Sequence, residues 1–266
     1  MAQLNNHLQL FQYLPQTNCR DCGLPTCLAF AVAVIKGEKS LDACPHLDRS
    51  ALEGVEIASG QPSPAEEERA QALAQLRAKV QEVEFSPNAA QRLGAALKED
   101  AFNIKCLGRD FFVHDQGMVT SQCHTNAWIT VPLLNYVLTA GGREPTGDWV
   151  LLKDLPGGAD WSRLFRQRCE EPLRKVADHY TDLFKDMVEV FGGQREKALD
   201  SDVAVVLHPL PKVPVLIAYW EPEEGMDSVL NVMFDRTATD NLSIESIYSL
   251  GAGLALMFER VAQTHG

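Results

Sequence analysis

The spacing of hydrophobic and polar positions changes several times along the 266 residues, and each change marks a new element. Leu8, Leu10, Phe11 and Leu14 give residues 1–14 the pattern of a short amphipathic helix. A polar, turn-rich stretch follows, and then the apolar run Leu28 to Ile35 predicts one helix. Pro25 or Thr26 starts it and Gly37 stops it. Residues 58–64, ASGQPSP, read as a linker, and Ser63-Pro64 with Glu66 start a helix that reaches about Val83. Ser86-Pro87 repeats that signal and predicts a helix through Asp100. The period then drops toward two, so residues 104–121 read as a small antiparallel meander. Asn126 to Leu138 reads as an apolar helix broken at Gly141-Gly142, and residues 147–158 as one strand ended by a Pro-Gly-Gly turn. Trp161 to Phe191 holds two helical stretches separated near Pro172. Val203–Leu207, Val213–Trp220 and Val229–Phe234 are strands, and Ser243 caps a closing helix to about Ala262. The order predicts an α+β protein: a small helical four-cysteine domain over 1–57, a linker and connector helix over 58–85, and a larger domain with a mainly antiparallel sheet over 86–266.

The candidate chemistry sits in the first of these. Cys19, Cys22, Cys27 and Cys44 are spaced C-x2-C-x4-C-x16-C, with Pro45 after the last. Three sulfurs lie within nine residues, and the helix-length insert carries the fourth back beside them. Thiolates in a tight loop suit an iron–sulfur cluster or zinc. A four-cysteine zinc site usually shows two separate C-x2-C knuckles, and this chain has one. A disulfide framework is disfavoured by the odd count of seven cysteines. A [4Fe-4S] cluster is the favoured reading and zinc the alternative.

Composition narrows the partners. A formal charge of −12 excludes the basic surface of a nucleic-acid binder and suits docking onto a basic redox protein. The amino-terminal stretch lacks the features of a signal peptide and the longest apolar run is too short for a membrane span, so a cytoplasmic location is expected.

The cysteine stretch also resembles the small iron–sulfur domain that opens the large subunit of the corrinoid iron–sulfur protein, and the corresponding domain of the B subunit of Rnf-type electron-transport complexes. The matching elements are residues 14–19 (LPQTNC), Cys22-Gly23, Pro25-Thr26-Cys27, Lys36-Gly37-Glu38 and Cys44-Pro45. This resemblance implies a [4Fe-4S] cluster and one-electron transfer in anaerobic metabolism. Residues 100–262 are similar to a family catalogued as a domain of unknown function, through LLNYVLTA, PTGDWV, LPGG, LPKVPVLIAYWE and Phe234-Asp235. No nucleotide loop or nucleophile elbow is present in the sequence. His124 and His208, near the ends of apolar strands, are candidate axial ligands to a cobalamin-type corrinoid or a haem. The acceptor of the electron is then a corrinoid or other tetrapyrrole in the larger domain or on a partner. The rival reading is a redox-sensing module whose cluster controls partner binding.

Overall fold

The computed structural model describes residues 2–4, 6–52, 54–57, 64–123, 125–182, 184, 186, 191, 193–196 and 200–265. It divides into two compact units, residues 1–73 and 74–266. No helix among the described residues is long and apolar enough to cross a membrane.

The first unit is α+β on a small scale. Strands β1 (Ala2–Leu4) and β2 (Val55–Ile57) pair in parallel, and helices α1 (His7–Phe11) and α2 (Cys27–Ile35) lie between them in sequence. Residues 1–14 are thus a strand followed by a helix, where one helix is expected from the sequence. Asn6 separates the two: its side chain accepts the Leu8 N–H at 2.8 Å and caps α1. Thr26 caps α2 in the same way, accepting from the Ala29 N–H at 3.0 Å. Gly37, at φ 75°, stops α2 as expected, and the Glu38 N–H closes the end on the Ala33 carbonyl at 2.8 Å. Leu4, Leu10, Leu14, Cys27, Phe30, Val34 and Ile35 are packed into one core. Helix α3 (Pro64–Val80) follows, as the Pro64 signal predicts; residues 58–63, the expected linker, lie outside the described residues.

The second unit holds two antiparallel sheets. In the smaller, order β3-β4-β5-β6, the strands are Ala96–Lys98, Ala101–Cys106, Arg109–His114 and Val119–Ser121. The expected meander is there, with one extra strand. Helix α4 (Pro87–Leu93) is shorter than its alanine-rich sequence suggests, because Gly94 takes the left-handed conformation at φ 61° and ends it. Leu97 then pairs with Phe102, so long-range pairing overrides the helical propensity of Ala95 to Lys98.

The larger sheet has the order β7-β11-β10-β9-β8, with Trp149–Leu151, Val229–Asp235, Val213–Trp220, Val203–Leu210 and Gln194–Arg195. β9 and β10 are buried almost throughout, which explains their unbroken apolar runs. β10 keeps the bounds its sequence suggests, β9 runs three residues further, and only Pro211 and Lys212 separate them. β7 is shorter than expected and gives way to a 3-10 turn at Leu152–Asp154.

Helices cover this sheet. α5 (Ala127–Thr139) and the closing helix match their sequence signals. Between them, α6 (Ser162–Phe165), a π turn (Arg166–Glu170) and α7 (Glu171–His179) form one continuous helical stretch through Pro172. Proline removes the N–H that would reach the Arg168 carbonyl, and the wider π turn just before it accommodates the ring. α8 (Ala238–Asn241) precedes the closing helix, α9 (Ile244–His265). Ile247, Leu250, Leu254 and Phe258 bury one stripe of α9. Gly251 allows the Phe165 ring and Cys169 to close onto the helix backbone. Alanine normally stabilises a helix interior over glycine by about 1 kcal/mol. Here the sign should reverse: Gly251→Ala is expected to cost roughly 1–3 kcal/mol through overpacking against the buried Phe165. Denaturant unfolding checks it, and a rise in stability would contradict this packing.

Candidate metal centre

The loop from Pro15 to Thr26 is shaped by backbone that few side chains favour. Gln16, Asn18 and Arg20 have φ of 58°, 52° and 70°, and Gly23 has 78°. Left-handed residues recur at every second position from Gln16 to Arg20, so the loop backbone alternates in hand. The N–H groups of Arg20, Asp21 and Cys22 have no acceptor among the described residues. Asn18 holds the loop against α2, since its side-chain oxygen accepts the Cys27 N–H at 2.8 Å.

The four sequence-predicted cysteines fall in this small unit in graded environments. Cys27 is buried at the first position of α2. Cys22 and Cys44 are half-buried and pack against the same apolar cluster as Cys27. Cys44 is presented by the 3-10 turn Leu41–Ala43, which bonds the Cys44 N–H to the Leu41 carbonyl at 3.1 Å. Cys19 is exposed. All four are free thiols.

Two residues beside Cys19 carried no signal in the sequence. The His46 ring lies 2.6 Å from the Asp21 carboxylate, and the donor atoms of Cys19, Asp21 and His46 all lie within 4.8 Å of one another. Hydrogen bonds from His46 and then from the Cys19 thiol hold the Asp21 carboxyl below its ordinary range. Four thiols, three of them on one apolar core, under a loop with free N–H donors form a donor set that fits an iron–sulfur cluster.

The other predicted ligands sit in the second unit. His124 lies outside the described residues. His208 is a half-buried residue of β9; its carbonyl accepts the Leu107 N–H at 2.8 Å, and burial pushes its imidazole below its ordinary value. A cavity of about 260 Å³ opens in this unit between the β4–β5 hairpin, α5 and α9, and His208 is not among its lining residues. Of Trp128, Tyr136, Trp149 and Trp220, Trp128 lines it, together with Phe111 and Phe191. Tyr136 is core, with its hydroxyl on the Leu93 carbonyl at 2.8 Å. Trp149 packs on Ala204, Val206 and Leu216, and the Trp220 ring N–H donates to the Asp200 carbonyl at 2.5 Å.

The sequence features that marked this unit have a structural task. Asp235, fully buried, accepts the N–H groups of Thr146, Gly147 and Thr237 at 2.8, 2.6 and 3.0 Å and the Thr237 hydroxyl at 2.7 Å. Asn241 receives the Arg143 N–H and donates to the Arg143 and Lys212 carbonyls. The Lys212 ammonium, itself buried, donates to the Gly142 carbonyl at 3.0 Å and pairs with Glu144 at 2.8 Å. Together they pin the loop from Gly141 to Asp148.

Comparison with known proteins assigns both units. Residues 86–257, more than half of the chain, match the family model described as a domain of unknown function, DUF3786. The chain belongs to the DUF3786 family. Ahead of the DUF3786 domain, residues 14–46 match a model described as "Putative Fe-S cluster". This Fe–S segment is 44% identical over 55 residues to the corrinoid/iron-sulfur protein large subunit of Moorella thermoacetica, covering 21% of this chain and 12% of that one. It is 47% identical over 45 residues to subunit gamma 2 of the acetyl-CoA decarbonylase/synthase complex of Methanosarcina mazei, covering 17% and 10%. The gamma subunit of Methanocaldococcus jannaschii shows 39% identity over 46 residues, covering 17% and 9%. The chain thus spans about a tenth of the length of these relatives. No solved structure matches it. An Fe–S cluster domain followed by a DUF3786 domain is therefore the organisation of this protein.

Proposed function

We propose that Cys19, Cys22, Cys27 and Cys44 hold a [4Fe-4S] cluster, and that this DUF3786 protein passes single electrons from it to a corrinoid or other tetrapyrrole carried by a partner protein. The observation that carries the reading is the set of four free thiols in one small unit, three of them on its apolar core, beside a loop whose backbone alternates in hand. A [4Fe-4S] cluster exchanges one electron at a potential set by burial and by hydrogen bonds to its sulfurs. Cys27 supplies the buried thiolate at a helix start, the apolar packing around Cys22 and Cys44 limits water, and Arg20, Asp21 and Cys22 supply uncommitted N–H donors.

Support for a corrinoid acceptor comes from the matched relatives, one of which is named as a corrinoid/iron-sulfur protein. Support for placing it on a partner comes from size: cavities of about 260, 330 and 380 Å³ in the DUF3786 domain lie at or below the low end of the roughly 300–1,000 Å³ of drug-sized ligand sites, and a corrin is larger than a drug-sized ligand. His124 and His208 are then not needed as axial ligands. The test is rapid mixing, under anaerobic conditions, of the reduced protein with a corrinoid protein in its Co(II) state. One electron leaves each cluster as Co(II) becomes Co(I), so cluster bleaching should reverse as the Co(I) band rises. A reduced cluster that persists in the presence of Co(II) corrinoid would overturn the proposal. Binding of cobalamin to this chain, lost in His208→Ala, would move the acceptor into the DUF3786 domain.

A further inference from the structure

The cavity of about 260 Å³ in the second unit is not used by the electron-transfer reading. Its walls come from separate parts of the chain: Phe111 from β5, Trp128 and Ile129 from α5, and Leu256 and Val261 from α9. These are apolar surfaces, and Leu256 among them is 42% exposed. Trp128 rests against Gly253, where an added Cβ would run into the indole, so this wall is held close to α9.

The charged groups described at the cavity are of one sign. Arg109 follows the tight Leu107-Gly108 turn of the β4–β5 hairpin, and Arg260 lies in the last turns of α9. Both are exposed, and neither side chain forms an ion pair or hydrogen bond among the described residues. Asn126 adds an amide that leaves the start of α5 uncapped. Among the described residues no Asp or Glu lines the cavity, although acids outnumber bases 36 to 24 in the chain. Guanidinium groups facing an apolar recess recognise a planar anion joined to a hydrocarbon body.

We propose that this cavity binds a small amphipathic carboxylate, with its hydrocarbon part against Phe111, Trp128, Ile129 and Leu256 and its carboxylate on Arg109 and Arg260. The volume selects a short chain or a single ring over a long-chain lipid. Cys106, buried in the lining, takes part as an apolar surface: burial pushes its thiol well above the ordinary range, so it stays protonated and is not a nucleophile.

The experiment uses the full chain, with octanoate as the probe and 1-octanol as its uncharged counterpart, followed by calorimetry and tryptophan fluorescence. Octanoate is expected to bind saturably, at least tenfold more tightly than octanol. The double variant Arg109→Gln, Arg260→Gln should weaken octanoate at least tenfold and leave octanol unchanged, and both arginines are exposed, so the fold is not at stake. Leu256→Trp, which adds bulk to the lining, should weaken both probes. Absence of saturable octanoate binding at millimolar concentration, or equal octanoate affinity in the wild type and the arginine variant, would overturn the proposal. The iron content does not enter the readout, so failure here is distinct from failure of the electron-transfer reading.

Discussion

Cys27→Ala is expected to leave the protein without a stable cluster, lowering iron from about four per chain to below one. Cys19→Ala should instead retain part of the iron with altered spectra. The contrast follows from position. Cys27 is buried at the head of α2, tied to the loop through Asn18, and among the described residues it is not part of a group of ligating side chains. Cys19 is exposed, and Asp21 and His46 place an oxygen and a nitrogen within 4.8 Å of its sulfur, so either could take its place at one iron. Iron and visible absorption of anaerobic preparations check this, and wild-type iron in Cys27→Ala would contradict it. The same reasoning applies to removing the metal. The first unit has a small apolar core, and domains of this size commonly depend on a metal or cross-link. Extraction of the cluster should therefore melt this unit and leave the second with its own unfolding transition, as read by far-ultraviolet circular dichroism.

The second large effect is expected at Asp235. Its carboxylate serves three backbone N–H groups and one hydroxyl from two segments, all in a buried setting. Asp235→Ala leaves those donors without an acceptor and is expected to cost roughly 3–5 kcal/mol in denaturant unfolding. Asp235→Asn, which keeps one acceptor oxygen, should cost less. Burial pushes this carboxyl up, but the hydrogen bonds from Thr237, Gly147 and Thr146 outweigh it, so its native value lies below the ordinary one. The sign follows by linkage: the contribution is complete above about pH 4, where the unfolded aspartate is ionised, and is lost as pH falls through the lower native value. Stability of the wild type should therefore fall more steeply than that of Asp235→Asn on acidification below about pH 4. Equal slopes would show that the carboxylate is not held as described.

What could be read from the sequence depended on distance along the chain. The cysteine motif was legible because metal chemistry fixes ligand spacing within a short span, and Gly37 and Thr26 mark the ends of α2 locally. β9, β10 and the meander were legible from their apolar periodicity. The strand at Ala96–Lys98 was not, since its sequence favours helix and only pairing with Phe102 and Asn103 decides otherwise. Pro172 was taken as a break because the π turn that absorbs it has no sequence signature. The Asp235 network joins residues 88 or 89 positions apart, and the cavity gathers Arg109 with Arg260, so neither could be seen before folding. His46 was hidden for a related reason: only the folded loop sets it beside Asp21.

The claim on which the account rests is the cluster itself, and Mössbauer spectroscopy of iron-57-enriched protein, prepared anaerobically with metal and sulfide counts, tests it most directly. The prediction is one cubane with about four iron and four sulfide per chain, diamagnetic when oxidised and paramagnetic after uptake of one electron. One zinc per chain without sulfide, in protein made with iron in excess, would contradict it.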